Sequence, residues 1–148
     1  MSDNTFEASG TCLCGNVRYS TTLSTSAGAC HCGMCRKWSG GPFMAVHATG
    51  EVKFEGEQHI GRYNSSPWAA RGFCQNCGSN LFYHLLPRPG LPNGEYILSA
   101  GMVSEQNQLK FDNEVFIDGA PGWYQFSDED TRDRMTEADI MAKYGADS

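Results

Sequence analysis

Along the 148 residues, apolar positions recur mostly at a period of two, in short stretches separated by turn signals. Val17, Tyr19 and Thr21 fall on one face, so Gly15 to Leu23 reads as a strand, and the small-residue segment Ser24 to Gly28 reads as a loop. Pro42 to Ala48 is apolar, Thr49-Gly50 marks a turn, and Glu51 to Phe54 completes an expected β-hairpin. His59 to Tyr63 and Ala69 to Phe73 form another strand pair. Leu81, Tyr83 and Leu85 alternate with Asn80, Phe82 and His84, which predicts a strand covered on both faces. Pro87 to Gly94, with three prolines and two glycines, must be a loop. Glu95 to Ala100 and Glu114 to Ile117 are further strands.

The pattern changes near the end. Thr136-Glu137-Ala138-Asp139 has the form of a capping box, and Met135, Ile140, Met141 and Tyr144 give a modest apolar stripe stopped by Gly145. This predicts an amphipathic helix packed on its own domain, with homodimer contacts as the alternative use of the stripe. Six to eight short strands and one terminal helix make a mostly β, single-domain protein. Residues 1–8 are expected to be a flexible tail, 9–126 the β domain, and 127–148 an acidic helical extension.

Composition narrows the functional classes. A formal charge of −6 and a pI near 5.1 disfavour nucleic acid, whose phosphates require clustered Lys and Arg. No apolar run is long enough to span a bilayer, and Met1 to Asn4 does not start a secretory signal, so a cytoplasmic location is the expectation.

Seven cysteines carry the candidate chemistry. Cys12 and Cys14 form a Cys-x-Cys pair, Cys74 and Cys77 a Cys-x-x-Cys pair, and Gly15 and Gly78 follow each pair where a tight turn needs positive φ. These four make a closed zinc-binding set. Cys30, Cys32 and Cys35 lie within six residues, close enough to share a second zinc, and no fourth ligand stands nearby. A structural zinc is normally closed by four protein ligands, whereas a catalytic one keeps a position open. An odd cysteine count with such short spacings argues against a disulfide framework, and a thioredoxin-like context for the Cys-x-x-Cys pair is absent. Two zinc ions per chain are therefore expected.

Three stretches resemble the glutathione-dependent formaldehyde-activating enzymes, a group related to centromere protein V. They are Gly10 to Tyr19, Cys30 to Gly40, and Arg71 to Ser79, within similarity spanning Gly10 to Tyr124. The resemblance implies a zinc-containing β-tent fold and a carbon-sulfur lyase that makes or cleaves an S-hydroxymethylglutathione-type adduct. It implies a structural zinc on Cys12, Cys14, Cys74 and Cys77 and a catalytic zinc on Cys30, Cys32 and Cys35, with a glutathione-like thiol and an aldehyde as partners. Two departures stand out: Glu114 lies where many members have a histidine, and Ser99 to Met102 replaces an Asp-rich turn.

For such a thiol, Arg36 and Lys37 are the candidates to meet its carboxylates, with Arg71 a third. Trp38 and Trp123 are candidates to line its pocket, and His31 to orient the site or accept a proton. His47, His59 and His84 receive no role. The alternative is a non-catalytic zinc domain that binds a thiol or a protein partner.

Overall fold

The computed structural model describes residues 4–127 and 132–144. Ten strands form one sheet, and its organiser is β2, Arg18–Cys30, thirteen residues long. The others are β1 Thr5–Thr11, β3 Phe43–Ala48, β4 Lys53–Glu55, β5 Ile60–Ser66, β6 Ala69–Cys74, β7 Asn80–Leu85, β8 Glu95–Ser99, β9 Lys110–Val115 and β10 Asp133–Met135. The order is β10-β9-β2-β3-β8-β7-β6-β5, with β1 and β4 also paired to β2. The sheet is mostly antiparallel; β9 runs parallel to both β2 and β10.

The period-two face at Val17, Tyr19 and Thr21 is buried. It joins Leu23, Val46, Leu81, Phe82 and Leu98, each fully buried, in the core, where every such side chain contributes about 1.5–3 kcal/mol. Leu81 on one face of β7 and Phe82 and His84 on the other are buried, as expected for a strand covered on two sides.

Several local expectations are corrected. Residues 5–8 are not a tail: they pair along β2 from Thr5 opposite Ser24 to Thr11 opposite Arg18. Ser24 to Gly28 is strand, because its small side chains fit between β3 on one side and β9 on the other. At Gly28 a Cβ would stand 2.0 Å from the Asn113 side-chain oxygen, so the close approach of β9 requires glycine there. The strands after Pro42 form no hairpin together, since β3 and β4 both pair with β2 instead. The strand expected at Glu114 to Ile117 ends at Val115, where Phe116 turns into the left-handed region (φ 55°) and a 3-10 turn follows at Ile117–Gly119.

Two α-helices complete the fold, α1 Gly33–Ser39 and α2 Glu137–Tyr144. The Thr136 capping box is present: Asp139 N donates to Thr136 Oγ1 at 3.1 Å and Thr136 N donates to Asp139 Oδ2 at 3.0 Å. Gly145, the expected stop, lies outside the described residues. The C-terminal extension is more than a helix, because β10 adds a strand to the common sheet. No helix among the described residues is long and apolar enough to cross a membrane.

Candidate metal centres

The four-cysteine cluster is made by two hairpin turns. Cys12 and Cys14 sit in the turn joining β1 to β2, while Cys74 ends β6 and Cys77 sits in the turn from β6 to β7. Gly15 and Gly78 take φ of 84° and 80°, so each knuckle closes in the left-handed conformation that glycine allows. Val17 N donates to Cys12 Sγ at 3.3 Å and Cys77 N to Cys74 Sγ at 3.4 Å, which aims the sulfurs inward. Leu13 N donates to Ser79 Oγ, tying one knuckle to the other.

These sulfurs fit a tetrahedral ion. Bonds of about 2.3 Å to one zinc place the sulfurs about 3.8 Å apart. Cys12 Sγ lies 3.6 Å from Cys14 Sγ, which lies 3.8 Å from Cys74 Sγ. All seven cysteines are free, and both clusters could hold a metal ion. Hydrogen bonding from Ser79 lowers the Cys77 thiol to a pKa of about 5, in keeping with a sulfur ready to ligate as thiolate.

The second cluster is local. β2 delivers Cys30 at its last position; Cys32 is the N-cap of α1, its sulfur accepting from Cys35 N at 3.4 Å; and Cys35 faces back from the first turn. The three Sγ atoms lie within 4.8 Å of one another. Among the described residues no other Cys, His, Asp or Glu joins them. Hydrogen bonds from Cys30 and Cys35 push the Cys32 thiol far down, while the same contacts push Cys30 up. Three thiols so close ionise together only when a cation sits among them.

Around this trio the structure sorts the sequence candidates. Lys37 is exposed, and Arg36, half-buried, donates Nε to the His31 carbonyl at 3.1 Å. Trp38 packs at a tilt of 59° against Phe43 and receives the Arg71 guanidinium on its face at 5.0 Å. Arg71 is no surface anchor for a ligand carboxylate, because it is only 3% exposed and points Nη1 at Cys35 Sγ, 3.6 Å away. Trp123 is 76% exposed and lines no closed pocket.

His31 is buried on the far side of the loop. Its Nε2 donates to Glu114 Oε1 at 2.8 Å, and its Nδ1 lies 2.9 Å from the Tyr124 hydroxyl. Glu114 Oε2 also accepts from Arg132 Nε at 3.0 Å, and Arg134 stands 3.5 Å away. Burial works to raise the Glu114 pKa, but hydrogen bonds from His31 and Arg132 outweigh it and hold the carboxyl ionised below its usual range. Glu114 is thus the anchor of a buried network with His31 and Arg132.

Sequence reasoning missed Tyr83, Tyr124, Arg132 and Arg134. Tyr83 was within reach through strand pairing, since it lies opposite Arg71 in the β6–β7 register. The two arginines carried no local signal; only the parallel docking of β10 on β9 brings Arg134 opposite Glu114. His84, given no role, is buried and stacked on Tyr96 at 3.9 Å, and burial followed by the Arg62 charge lowers its pKa to about 4.

A groove of about 700 Å³ runs between the first knuckle and the end of α1, past Leu13, Ser39, Phe43 and Asn80. It carries no charged side chain.

Comparison with known proteins settles the relationship. The family model described as glutathione-dependent formaldehyde-activating enzyme matches residues 7–119, which include both cysteine clusters. The chain belongs to this family. It is 32% identical over 126 residues to an uncharacterized lyase of Schizosaccharomyces pombe, covering 83% of this chain and 88% of that protein. The crystal structure of a Rhodobacter sphaeroides protein shares the fold, with a TM-score of 0.55 at 19% identity, covering 86% of this chain and 99% of that one. Membership supports a lyase-type activity linked to glutathione and formaldehyde at the family level. Tyr124, Arg132 and Arg134 lie beyond the matched span.

Proposed function

We propose that this protein is a zinc-dependent carbon-sulfur lyase that forms or cleaves the adduct of a glutathione-like thiol with a small aldehyde. Cys12, Cys14, Cys74 and Cys77 hold a structural zinc, and Cys30, Cys32 and Cys35 hold the zinc at the reaction site. The observation that carries this reading is the convergence of three thiols with no fourth protein ligand among the described residues.

In the forming direction, the sulfur's electron pair bonds to the aldehyde carbon, the carbonyl π pair moves to oxygen, and the proton lost by the thiol ends on that oxygen. Cleavage runs the same transfers backwards. Zinc bound by the trio supplies a position at which a thiol ionises at neutral pH. Ionisation alone is a small catalyst: a free thiol with pKa near 8.5 is already a few per cent thiolate at pH 7, so the gain is at most about 30-fold. The larger share must come from holding the aldehyde carbon against the sulfur and from stabilising charge on oxygen. Arg36 and Lys37, on α1 beside the trio, are the cations available to the carboxylates of a glutathione-like ligand. Trp38, next along α1, is held by Arg71 and Phe43.

Metal analysis combined with calorimetric titration of glutathione tests the reading. Wild type should hold two zinc ions and bind glutathione; Cys32→Ser should hold one and bind none. Unchanged glutathione binding by Cys32→Ser would remove the trio from the reaction site.

A further inference from the structure

Arg71 is a buried cation without a carboxylate. Its neighbours are the ring of Trp38 at 5.0 Å, the ring of Tyr83 at 4.9 Å, and Cys35 Sγ at 3.6 Å from Nη1. Its Nε, also buried, meets no acceptor among the described residues. Among the described residues the carboxylates in ion pairs are Glu114 and Glu95, and neither pairs with Arg71. Burying a guanidinium is unfavourable unless a negative charge answers it. The groups in place to do so are the sulfurs of the trio.

The four-cysteine cluster lacks this feature. Its sulfurs receive backbone N–H groups and lie near the Ser79 hydroxyl, and among the described residues no side-chain cation donates to them. Charge arithmetic separates the two sites. Four thiolates around a divalent zinc leave −2, which the part-exposed position of Cys14 and Cys77 lets water screen. Three thiolates and a zinc leave −1, which Arg71 brings to zero. An incoming thiolate then takes the trio only to −1, whereas without Arg71 it would reach −2 in a buried setting.

We propose that Arg71 is a positioning residue that acts through the trio: its fixed positive charge makes the fourth position select an anionic ligand, a thiolate, over a neutral one. The proposal rests on the trio holding a divalent metal with that position open. The rings of Trp38 and Tyr83, with centroids 5.0 and 4.9 Å from the guanidinium carbon, hold it in place, so the charge is set before any ligand arrives.

The test uses the full-length protein loaded with cobalt(II) and reads difference absorption spectra during titration with glutathione, azide and imidazole. Arg71→Met should weaken glutathione and azide about 10- to 100-fold and leave imidazole nearly unchanged, while Arg71→Lys recovers most of the anion affinity. Equal binding of all three ligands by wild type and Arg71→Met would overturn the proposal. Loss of the trio's metal in Arg71→Met but not in Arg71→Lys supports it, because charge is then what retains the ion. The same loss in both variants, with two metals still in wild type, overturns it in favour of a packing role. If wild type takes azide in an Arg71-dependent way yet ignores glutathione, the proposed thiol chemistry fails while the role of Arg71 stands.

Discussion

The two cysteine clusters offer the same donor atoms and are built by opposite means. One joins two hairpin turns whose cysteines stand 60 residues apart in sequence, Cys14 to Cys74, so closing it fixes the relative position of β1–β2 and β6–β7. The other is complete within the single passage from β2 into α1, and holding it together constrains little of the chain. A long-range cluster can therefore carry stability, and a short-range one is free to leave a position open. What the local cluster lacks in chain closure it draws from its surroundings, Arg71 on one side and the His31–Glu114 pair on the other.

The sharpest way to break this contrast is to remove one sulfur from each cluster. A structural zinc site contributes about 10–16 kcal/mol, which rivals the roughly 5–15 kcal/mol net stability of a whole domain. Cys12→Ser or Cys74→Ser should thus give insoluble or unfolded protein. Cys30→Ser or Cys35→Ser should remain soluble and cooperatively folded, one zinc short. Solubility, metal content and denaturant unfolding decide the matter; folded Cys74→Ser with one zinc would erase the distinction.

Next in size is the network under the trio. Glu114→Ala leaves Arg132 and His31 buried without their acceptor, a change that costs about 3–5 kcal/mol. Glu114→Gln, which keeps the shape and one acceptor oxygen, should cost less, about 1–3 kcal/mol. Guanidinium unfolding curves would show both. Metal at Cys12, Cys14, Cys74 and Cys77 should persist in either variant, since no member of the network touches that cluster. The depressed Glu114 pKa adds a pH signature. A carboxyl held below its unfolded value contributes stability above that value, near 4.5, and loses it as pH falls through the lower folded value. Loss of the contribution already at pH 6 would contradict the ionised network.

How much of this was legible in the sequence follows the same division. Both clusters could be read from spacing, because each knuckle and the trio are local, and Gly15 and Gly78 mark the two knuckles. The buried face of Val17, Tyr19 and Thr21 showed in its period. What failed was long-range: Ser24 to Gly28 looks like a loop because small polar residues dominate it, and only the arrival of β9 makes them the right size for a strand. Arg71 looks like surface charge in any local reading; its burial depends on Trp38 from α1 and Tyr83 from β7 closing over it. Glu114 was visible as an acidic residue in a predicted strand, but Arg134, which faces it, comes from β10, which showed no strand pattern, and Arg132 comes from the residue just before that strand.

The smallest expected effect comes from the C-terminal cap, and it asks how far the trio's support extends. Thr136 caps α2, and Glu137 N donates to Asp118 Oδ1 at 2.9 Å, so the helix start is tied to the turn that follows β9. Immediately before the cap, β10 holds Arg134 opposite Glu114. Thr136→Ala should cost about 1 kcal/mol, the usual value for a lost N-cap oxygen, and Asp139 keeps its half of the box only while the backbone stays in place. If α2 and β10 support the network, hydrogen exchange at Glu114 and Val115 should quicken in this variant while exchange at Val17 and Cys77, in the knuckles, stays unchanged. Equal acceleration at all four amides would mean that the cap acts on the whole sheet, and the two clusters would then share one source of rigidity.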